Sequence, residues 1–344
     1  MEVEQEVSPE WIDSIPASRR PRWRVGLEFV AVASALLHPL ATALGRYYWW
    51  IDLFTHFQVA AVFASGLAAS LVFRSRPRLA IALMGLVAFQ VLPILRYQGR
   101  NPVPAASRST SRLRILMANV LCENQNFEAL ARLIRREKPD IVGLVEYDRG
   151  WELGLEELRR EFPYHLDVPD GARGLALWFR KEPISIGPVQ VPLPGGWPCM
   201  RATFEIDGKP THLWLIHPSS PFHRRGRPEL SALAEKVRAE GGSQVVIGDM
   251  NSTEGSPRFA DFLQITGLRD SRLGFGRQLS WPVGLPYQIA IDHAFLSADL
   301  AVVDRRLGPS IGSDHAPLIL DLAPAAGTDG MEPFTNSASP SKSN

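Results

Sequence analysis

Three apolar runs follow one another within residues 25–98, and they constrain this chain more than any other feature. Val25–Leu44 is broken only by Glu28 and His38. Leu53–Phe73 runs 21 residues without a charge, with His56 and Gln58 among its polar positions, and Leu79–Leu95 runs 17 residues with Gln90 as its one strong polar interruption. At about 1.5 Å per residue, helices of these lengths reach roughly 25–32 Å, the thickness of a bilayer's hydrocarbon core. Buried core helices of a soluble protein can be as apolar. Three in succession, separated by short turns, read instead as three transmembrane helices.

The flanks set an expected orientation. Tyr47, Tyr48, Trp49 and Trp50 lie between the first two runs, where interfacial aromatics belong. Arg19, Arg20, Arg22 and Arg24 precede the first run, Arg74, Arg76 and Arg78 fill the turn between the second and third, and the intervening turn carries only Arg46. The positive-inside bias puts residues 1–24 and the 74–78 turn in the cytoplasm, so three spans deliver everything after residue 98 to the outside. Arg96, Arg100, Arg108, Arg112 and Arg114 pull against this orientation. A cleaved signal peptide ending near Ala41-Thr42-Ala43 fits less well.

The remainder divides into a polar linker, 99–112, a globular part, 113–322, and a tail, 323–344, whose Ser, Pro, Gly and Thr content predicts disorder. With 37 basic against 36 acidic residues, the net charge of +1 excludes a polybasic nucleic-acid binder. The two cysteines, Cys122 and Cys199, exclude a disulfide scaffold and a four-thiolate zinc site.

Within the globular part, Leu113–Val120, Ile141–Val145, Leu175–Phe179, Ile184–Val191, Met200–Ile206, His212–Ile216, Gln244–Ile247, Gln288–Leu296 and Ala316–Leu322 read as strands. Phe127–Lys138, Trp151–Phe162, Pro228–Glu240 and Ser256–Thr266 read as helices. Two packed sheets with helices outside them, an α/β sandwich, fit this order.

Polar residues interrupt the apolar runs at strand ends: Asn119, Glu146, His217, Asp249 and Asn251 in Gly248-Asp249-Met250-Asn251, Asp292 in Ile291-Asp292-His293, and Asp314-His315 after Gly312-Ser313. Singly, each reads as a turn former or cap. Jointly, carboxylate and amide oxygens with few thiols suit a hard ion, Mg²⁺ or Mn²⁺, rather than zinc.

In this order, Leu113–Asn119, Asp140–Glu146, Val246–Asn251, Ile291-Asp292-His293 and Gly312–His315 resemble the endonuclease/exonuclease/phosphatase superfamily over residues 112–322. The resemblance implies a four-layer α/β/β/α catalytic domain and Mg²⁺-dependent hydrolysis of phosphate esters. It implies Glu146, Asn119 and Asp314 as metal ligands, and His315 as the base that activates water, oriented by Asp292. Asp249 would orient the nucleophile or protonate the leaving group, Asn251 would hold a phosphate oxygen, and His217 would contact the phosphate. Two positions depart from the family. No acid stands where deoxyribonucleases support the histidine matching His217; Arg173 lies there, a phosphate ligand or a surface arginine. His293 replaces a frequent Tyr or Arg and reads as a packed core histidine. His223, Arg224, Arg225 and Arg227 form a basic cluster that fits a polyanionic headgroup or solvated surface equally.

The expectation is a multi-pass membrane-anchored phosphoesterase whose catalytic domain is extracytoplasmic, near lipid-linked phosphate or pyrophosphate. A nuclease acting on DNA or RNA, and an inactive interaction module, are the alternatives.

Overall fold

The computed structural model describes residues 22–99, 112–190, 198–220 and 226–326. Residues 1–21 of the expected N-terminal cytoplasmic segment, most of the linker, the tail beyond 326 and His223, Arg224 and Arg225 lie outside the described residues, as does the side chain of Arg227.

The apolar runs fold as helices α1 (Arg22–Leu44), α2 (Trp49–Asp52), α3 (Gln58–Val72) and α4 (Pro77–Leu95), with a 3₁₀ turn, Leu53–Phe57, joining α2 to α3. Three stretches, Trp23–Leu44, Trp49–Val72 and Pro77–Leu95, are long and apolar enough to cross a membrane. Their seam is built from small and medium residues, Ala35, Ala68, Ala69, Val72, Ala80 and Leu83, which let helices approach closely where no aqueous hydrophobic effect drives them together. Phe29, Phe63, Ile81 and Leu92 point outward, each more than 60% exposed, an arrangement suited to acyl chains and costly in water. Some of the polar interruptions pair with one another. Gln58 Nε2 donates to the Gln90 carbonyl at 2.7 Å, and Ser65 Oγ donates to Gln90 Oε1 at 3.1 Å. Ser75 Oγ donates to Glu28 Oε1 at 3.1 Å.

The strands, in chain order, are β1 Leu113–Asn119, β2 Ile141–Val145, β3 Tyr164–Val168, β4 Leu175–Phe179, β5 Ser185–Val189, β6 Cys199–Ile206, β7 Lys209–Ile216, β8 Ser243–Asp249, β9 Arg269–Asp270, β10 Asp292–Leu296, β11 Leu300–Leu307 and β12 Leu318–Pro324. They form two six-stranded sheets, ordered β11-β12-β1-β2-β4-β3 and β5-β6-β7-β8-β10-β9. Ile115, Met117, Leu177, Leu213, Leu215 and Ile247 meet between the sheets. Helices α5 (Phe127–Glu137), α6 (Arg149–Gly154) and α7 (Glu156–Arg159) cover the first sheet, and α8 (Gly226–Glu240) and α9 (Pro257–Thr266) cover the second. This is the expected four-layer α/β/β/α sandwich.

Differences from the sequence reading have local causes. The helix expected over Trp151–Phe162 is two short helices, α6 and α7. Gly154 packs on the Phe127 ring so closely that a Cβ there would overlap it, and the chain turns at Leu155 (φ −111°, ψ 11°). β3 and β11 escape the alternation pattern because they carry charged residues. In β11 the Arg305 guanidinium is buried and donates to Ser271 Oγ at 2.9 Å. β12 continues to Pro324, where an unstructured tail was expected to have begun, and Ala325 N donates to the Asp299 carbonyl at 2.8 Å.

The helical region docks on the second sheet's end of the sandwich. Ser256 Oγ donates to Asp52 Oδ2 at 3.0 Å, His56 Nδ1 lies 2.9 Å from Thr253 Oγ1, and Arg46 pairs with Asp261. Beyond α4, Tyr97 is fully buried. Its hydroxyl donates to Asp270 Oδ2 at 3.2 Å, and Arg272 stacks over its ring at 4.6 Å. Arg272 is itself fully buried between Asp270 (2.7 Å) and Glu254 (3.1 Å), so its charge is compensated on two sides.

Candidate active site

The pairing registers explain why distant residues meet. Parallel β1 and β2 end together, Asn119 opposite Val145, so Asn119 and Glu146 leave the first sheet side by side. Antiparallel β8 and β10 pair Asp249 directly with Asp292. Parallel β7 and β8 finish together, Ile216 opposite Gly248, which brings His217 beside Asp249. Gly248 is required by its own backbone: φ is +148°, and a Cβ would collide with the Ile216 carbonyl. Glu146 and Asn251 hold positive φ angles of 58° and 50° although neither is glycine, a conformation that usually marks a position fixed by its surroundings.

These strand ends form one buried polar cluster. Asn119 Nδ2 donates to Glu146 Oε1 at 2.7 Å and to Asp249 Oδ2 at 3.1 Å. His315 Nδ1 lies 2.9 Å from Asp292 Oδ2, and its Nε2 lies 3.8 Å from Asp249 Oδ2 and 4.0 Å from Asp314 Oδ1. His217 Nε2 is 3.6 Å from Asp249 Oδ2 and 4.0 Å from Glu146 Oε1. Asn251 N donates to Asp249 Oδ1 at 2.8 Å, and Asn251 Nδ2 donates to the Pro218 carbonyl at 3.1 Å.

The field inside this cluster is strong. Burial opposes charge on His315, but Asp292, by Coulombic attraction and its hydrogen bond, and Asp249 outweigh it and raise the ring's pKa to about 10. Burial pushes the Asp249 carboxyl up to about 7. Asp292 is equally buried, yet the His315 charge and the hydrogen bonds from His315 and Ser280 hold it below the usual carboxylate value. Burial, with the His315 charge adding to it, pushes His217 down to about 3, so this ring is neutral. Glu146 is raised by burial, with the Asp314 and Glu123 charges adding, against the Asn119 hydrogen bond.

Glu146, Asp249 and His315 each bring a ligand atom within 4.8 Å of the others. Asp314 Oδ2 accepts from Trp281 Nε1 at 2.7 Å, while its buried Oδ1 has no hydrogen-bond partner among the described residues. Asn119 turns its oxygen to Leu121 N (3.0 Å) and its amide nitrogen to the carboxylates. Crowded carboxylates, two of them (Asp249 and Glu146) raised by burial and one (Asp314) with an orphaned oxygen, fit a divalent cation.

Two other predicted positions fall outside this cluster. Arg173 is exposed, 3.8 Å from Asp170, and is not part of the cavity lining described next. The Ala172 backbone, rather than an acid, hydrogen-bonds His217. His293 is packed in the core: its Nε2 lies 2.8 Å from the Ser252 carbonyl, and its ring stacks on Phe295.

The cluster opens into a cavity of about 250 Å³ lined by Glu146, Asp249, Asn251, Asp314 and His315 on one side. Leu121, Trp281, Ile289 and Ile291 form an apolar wall, and Leu53, His56 and Phe57 of the 3₁₀ turn contribute another. None of these wall residues was singled out for the site in the sequence. Trp281 carries no strand-end signal, and the 53–57 turn reads as part of an apolar run. A larger hollow of about 930 Å³, lined by Arg112, Ile141 and Phe204 among others, includes none of the clustered polar residues.

The model of the Endonuclease/Exonuclease/phosphatase family matches residues 118–315. Among solved structures, D. rerio TDP2 complexed with single strand DNA product is similar at 17% identity and TM-score 0.52, covering 62% of this chain and 99% of that one. An endonuclease/exonuclease/phosphatase from Bacteroides vulgatus is similar at 17% identity and TM-score 0.51, covering 62% and 100%. The human Nocturnin catalytic domain with bound sulfate anion is similar at 16% identity and TM-score 0.50, covering 65% and 99%. At these identities the likeness is one of fold. No curated protein gives a significant match.

Proposed function

Because the chain belongs to the endonuclease/exonuclease/phosphatase family, whose enzymes are metal-dependent phosphoester hydrolases, we propose that it is a membrane-anchored hydrolase of lipid-linked phosphate or pyrophosphate. One observation carries the lipid part of this reading. The cavity above the carboxylate cluster is walled by Leu53 and Phe57 of a membrane-type segment and by Leu121, Trp281, Ile289 and Ile291. A phosphate at the polar floor would leave its adjoining carbon chain against that wall, beside helices able to deliver it from a bilayer.

Glu146, Asp314 and, after an amide turn, Asn119 would hold Mg²⁺ or Mn²⁺, with Asp249 close enough to join them. Such an ion supplies polarisation of a phosphoryl oxygen and neutralisation of charge in the transition state. His315, locked by Asp292 at 2.9 Å, presents Nε2 to the reaction centre and takes the proton of the attacking water. Its high pKa comes from the surrounding carboxylates, Asp292 first, so a cation held by Glu146 and Asp314 would lower it and leave the ring able to act as a base. Asp249, its carboxyl raised by burial to about 7, would orient the nucleophile or, where it keeps a proton instead of joining the cation, donate that proton to the leaving oxygen. Neutral His217 and Asn251 would hold the non-reacting phosphate oxygens.

The docking is consistent with the expected orientation. The sandwich sits against the 46–57 and 97 ends of the helices, opposite the Arg74–Arg78 turn, which supports a catalytic domain outside the cytoplasm. Arg114, counted against that topology, donates to Asp321 at 2.6 and 2.7 Å inside the sandwich. A reporter fused after residue 322 should read extracytoplasmic, and a cytoplasmic signal would refute the orientation.

The DNA product bound to the D. rerio neighbour favours a nuclease as the second reading. Purified full-length protein with Mg²⁺ should release phosphate from undecaprenyl pyrophosphate in vesicles and leave plasmid DNA intact. The reverse result would favour the nuclease, and failure of both assays across metals and substrates would favour the non-catalytic module.

A further inference from the structure

His56 belongs to the helical region by sequence and to the active-site cavity by position. Thr253, two residues beyond Asn251, holds it on one side: Thr253 Oγ1 lies 2.9 Å from His56 Nδ1, and the Thr253 backbone N–H donates to the same nitrogen at 3.4 Å. A backbone N–H can only donate, so Nδ1 is an acceptor and the neutral ring carries its proton on Nε2. The ring is only 6% exposed and lines the cavity with Glu146, Asp249 and His315. Its Nε2 has no hydrogen-bond partner among the described residues. A buried donor left without an acceptor is costly and is retained where something else supplies the acceptor.

The turn is also fixed in place. Thr55 Oγ1 donates to the Asp52 carbonyl at 2.6 Å, Asp52 accepts from Ser256, and Gly255 lies so close to the Thr55 carbonyl that a Cβ would overlap it. These contacts pin His56 as a rigid part of the site wall.

We propose that His56 is a substrate-binding residue whose Nε2–H donates to a phosphate oxygen, so that the membrane segment completes the active site. This rests on the phosphoesterase reading above, but not on the lipid nature of the substrate. Donors for phosphate then come from both sides of the cavity: His217 and Asn251 from the sandwich, His56 from the helical region.

The test uses full-length protein in detergent micelles, with Mg²⁺ and bis(p-nitrophenyl) phosphate. His56→Gln can place an amide N–H near the ring's Nε2, whereas His56→Asn can only replace Nδ1 and its contact with Thr253. Loss of one hydrogen bond to a charged phosphate predicts a fall in kcat/KM of about tenfold or more for His56→Asn, mainly through KM, and of less than about threefold for His56→Gln. The opposite order, or equal losses, would show that His56 only supports Thr253 and would overturn the proposal. Inorganic phosphate with Mg²⁺ should raise the Tm of the wild type and His56→Gln, and raise that of His56→Asn much less. This readout needs no turnover. Were the wild type to cleave neither this diester nor undecaprenyl pyrophosphate yet keep this Tm pattern, the phosphoesterase reading would fail while the His56 assignment stood. An equal phosphate-dependent shift in all three proteins overturns the assignment.

Discussion

Asp292→Asn removes one negative charge from the shortest histidine–carboxylate pair in the site while preserving shape. His315 Nδ1 lies 2.9 Å from Asp292 Oδ2, and Asp249 lies 3.8 Å from the ring's other nitrogen. The ring's pKa is raised from 6.5 to about 10 against the effect of its own burial. At about 1.36 kcal/mol per pKa unit this corresponds to roughly 5 kcal/mol in favour of the charged ring. The Asp292 contact at 2.9 Å is a hydrogen bond to a charged group, worth about 1.5–3 kcal/mol, or roughly 10- to 150-fold in a transition state where the ring takes up a proton. The asparagine can also present its amide to Nδ1 and favour the wrong tautomer, which carries the loss toward the upper part of the roughly 10²–10⁴-fold range of general-base catalysis. The expected result is a kcat lower by at least about 50-fold with little change in KM, read with bis(p-nitrophenyl) phosphate at saturating Mg²⁺. Combining Asp292→Asn with His315→Ala should cost little more than His315→Ala alone, since the two act as a unit. A loss below about fivefold would refute the pairing as the source of the base.

Other perturbations separate the remaining parts of the argument. Glu146→Gln should abolish activity and the Mg²⁺-dependent rise in Tm together; activity surviving with a normal Mg²⁺ response would remove Glu146 from the metal site. Arg272→Met leaves Asp270 and Glu254 buried without their shared cation, and a loss of about 3–5 kcal/mol is expected in urea unfolding. Gly255→Ala forces the Thr55 carbonyl away and should lower kcat/KM for a lipid-linked phosphate more than for a short soluble ester; an equal effect on both would detach the docking from substrate choice. pH dependence follows from two groups with raised folded-state values. His315 stabilises fully below 6.5 and loses that contribution as pH rises through about 10, and Asp249 stabilises below 3.8 and loses it as pH rises through about 7. The Tm of protein treated with chelator should therefore fall between pH 6 and 10, and the Mg²⁺-induced shift should grow over the same interval as the cation replaces those protons. A chelated Tm that is flat across the interval would contradict the pKa directions on which the mechanism depends.

Much of the site was legible in the sequence because strand ends announce themselves. A carboxylate or amide following an apolar strand, as at Asn119, Glu146 and Asp249, breaks a pattern that burial otherwise enforces. The packed role of His293 was legible for the complementary reason, since it lies inside such a run. Less legible was β11, where burial of Arg305 depends on Ser271 and Gln278 from other parts of the chain. The break between α6 and α7 was hidden because it turns on the close approach of Gly154 and Phe127.

Local chemistry in the sequence thus determined the apolar helices, the strands and the polar groups at their ends, each set by residue type and period within a short window. The tertiary structure alone decided what those groups do to one another. Registers between strands far apart in the chain place Asp292 and His217 beside Asp249, the packing of the two sheets brings His217 near Glu146, and only that proximity in a low-dielectric interior moves their proton affinities. It also decided that a turn inside an apolar run, Leu53–Phe57, walls the cavity. Apolarity shows that such a segment leaves water, but the surface it packs against is settled by contacts between distant parts of the fold.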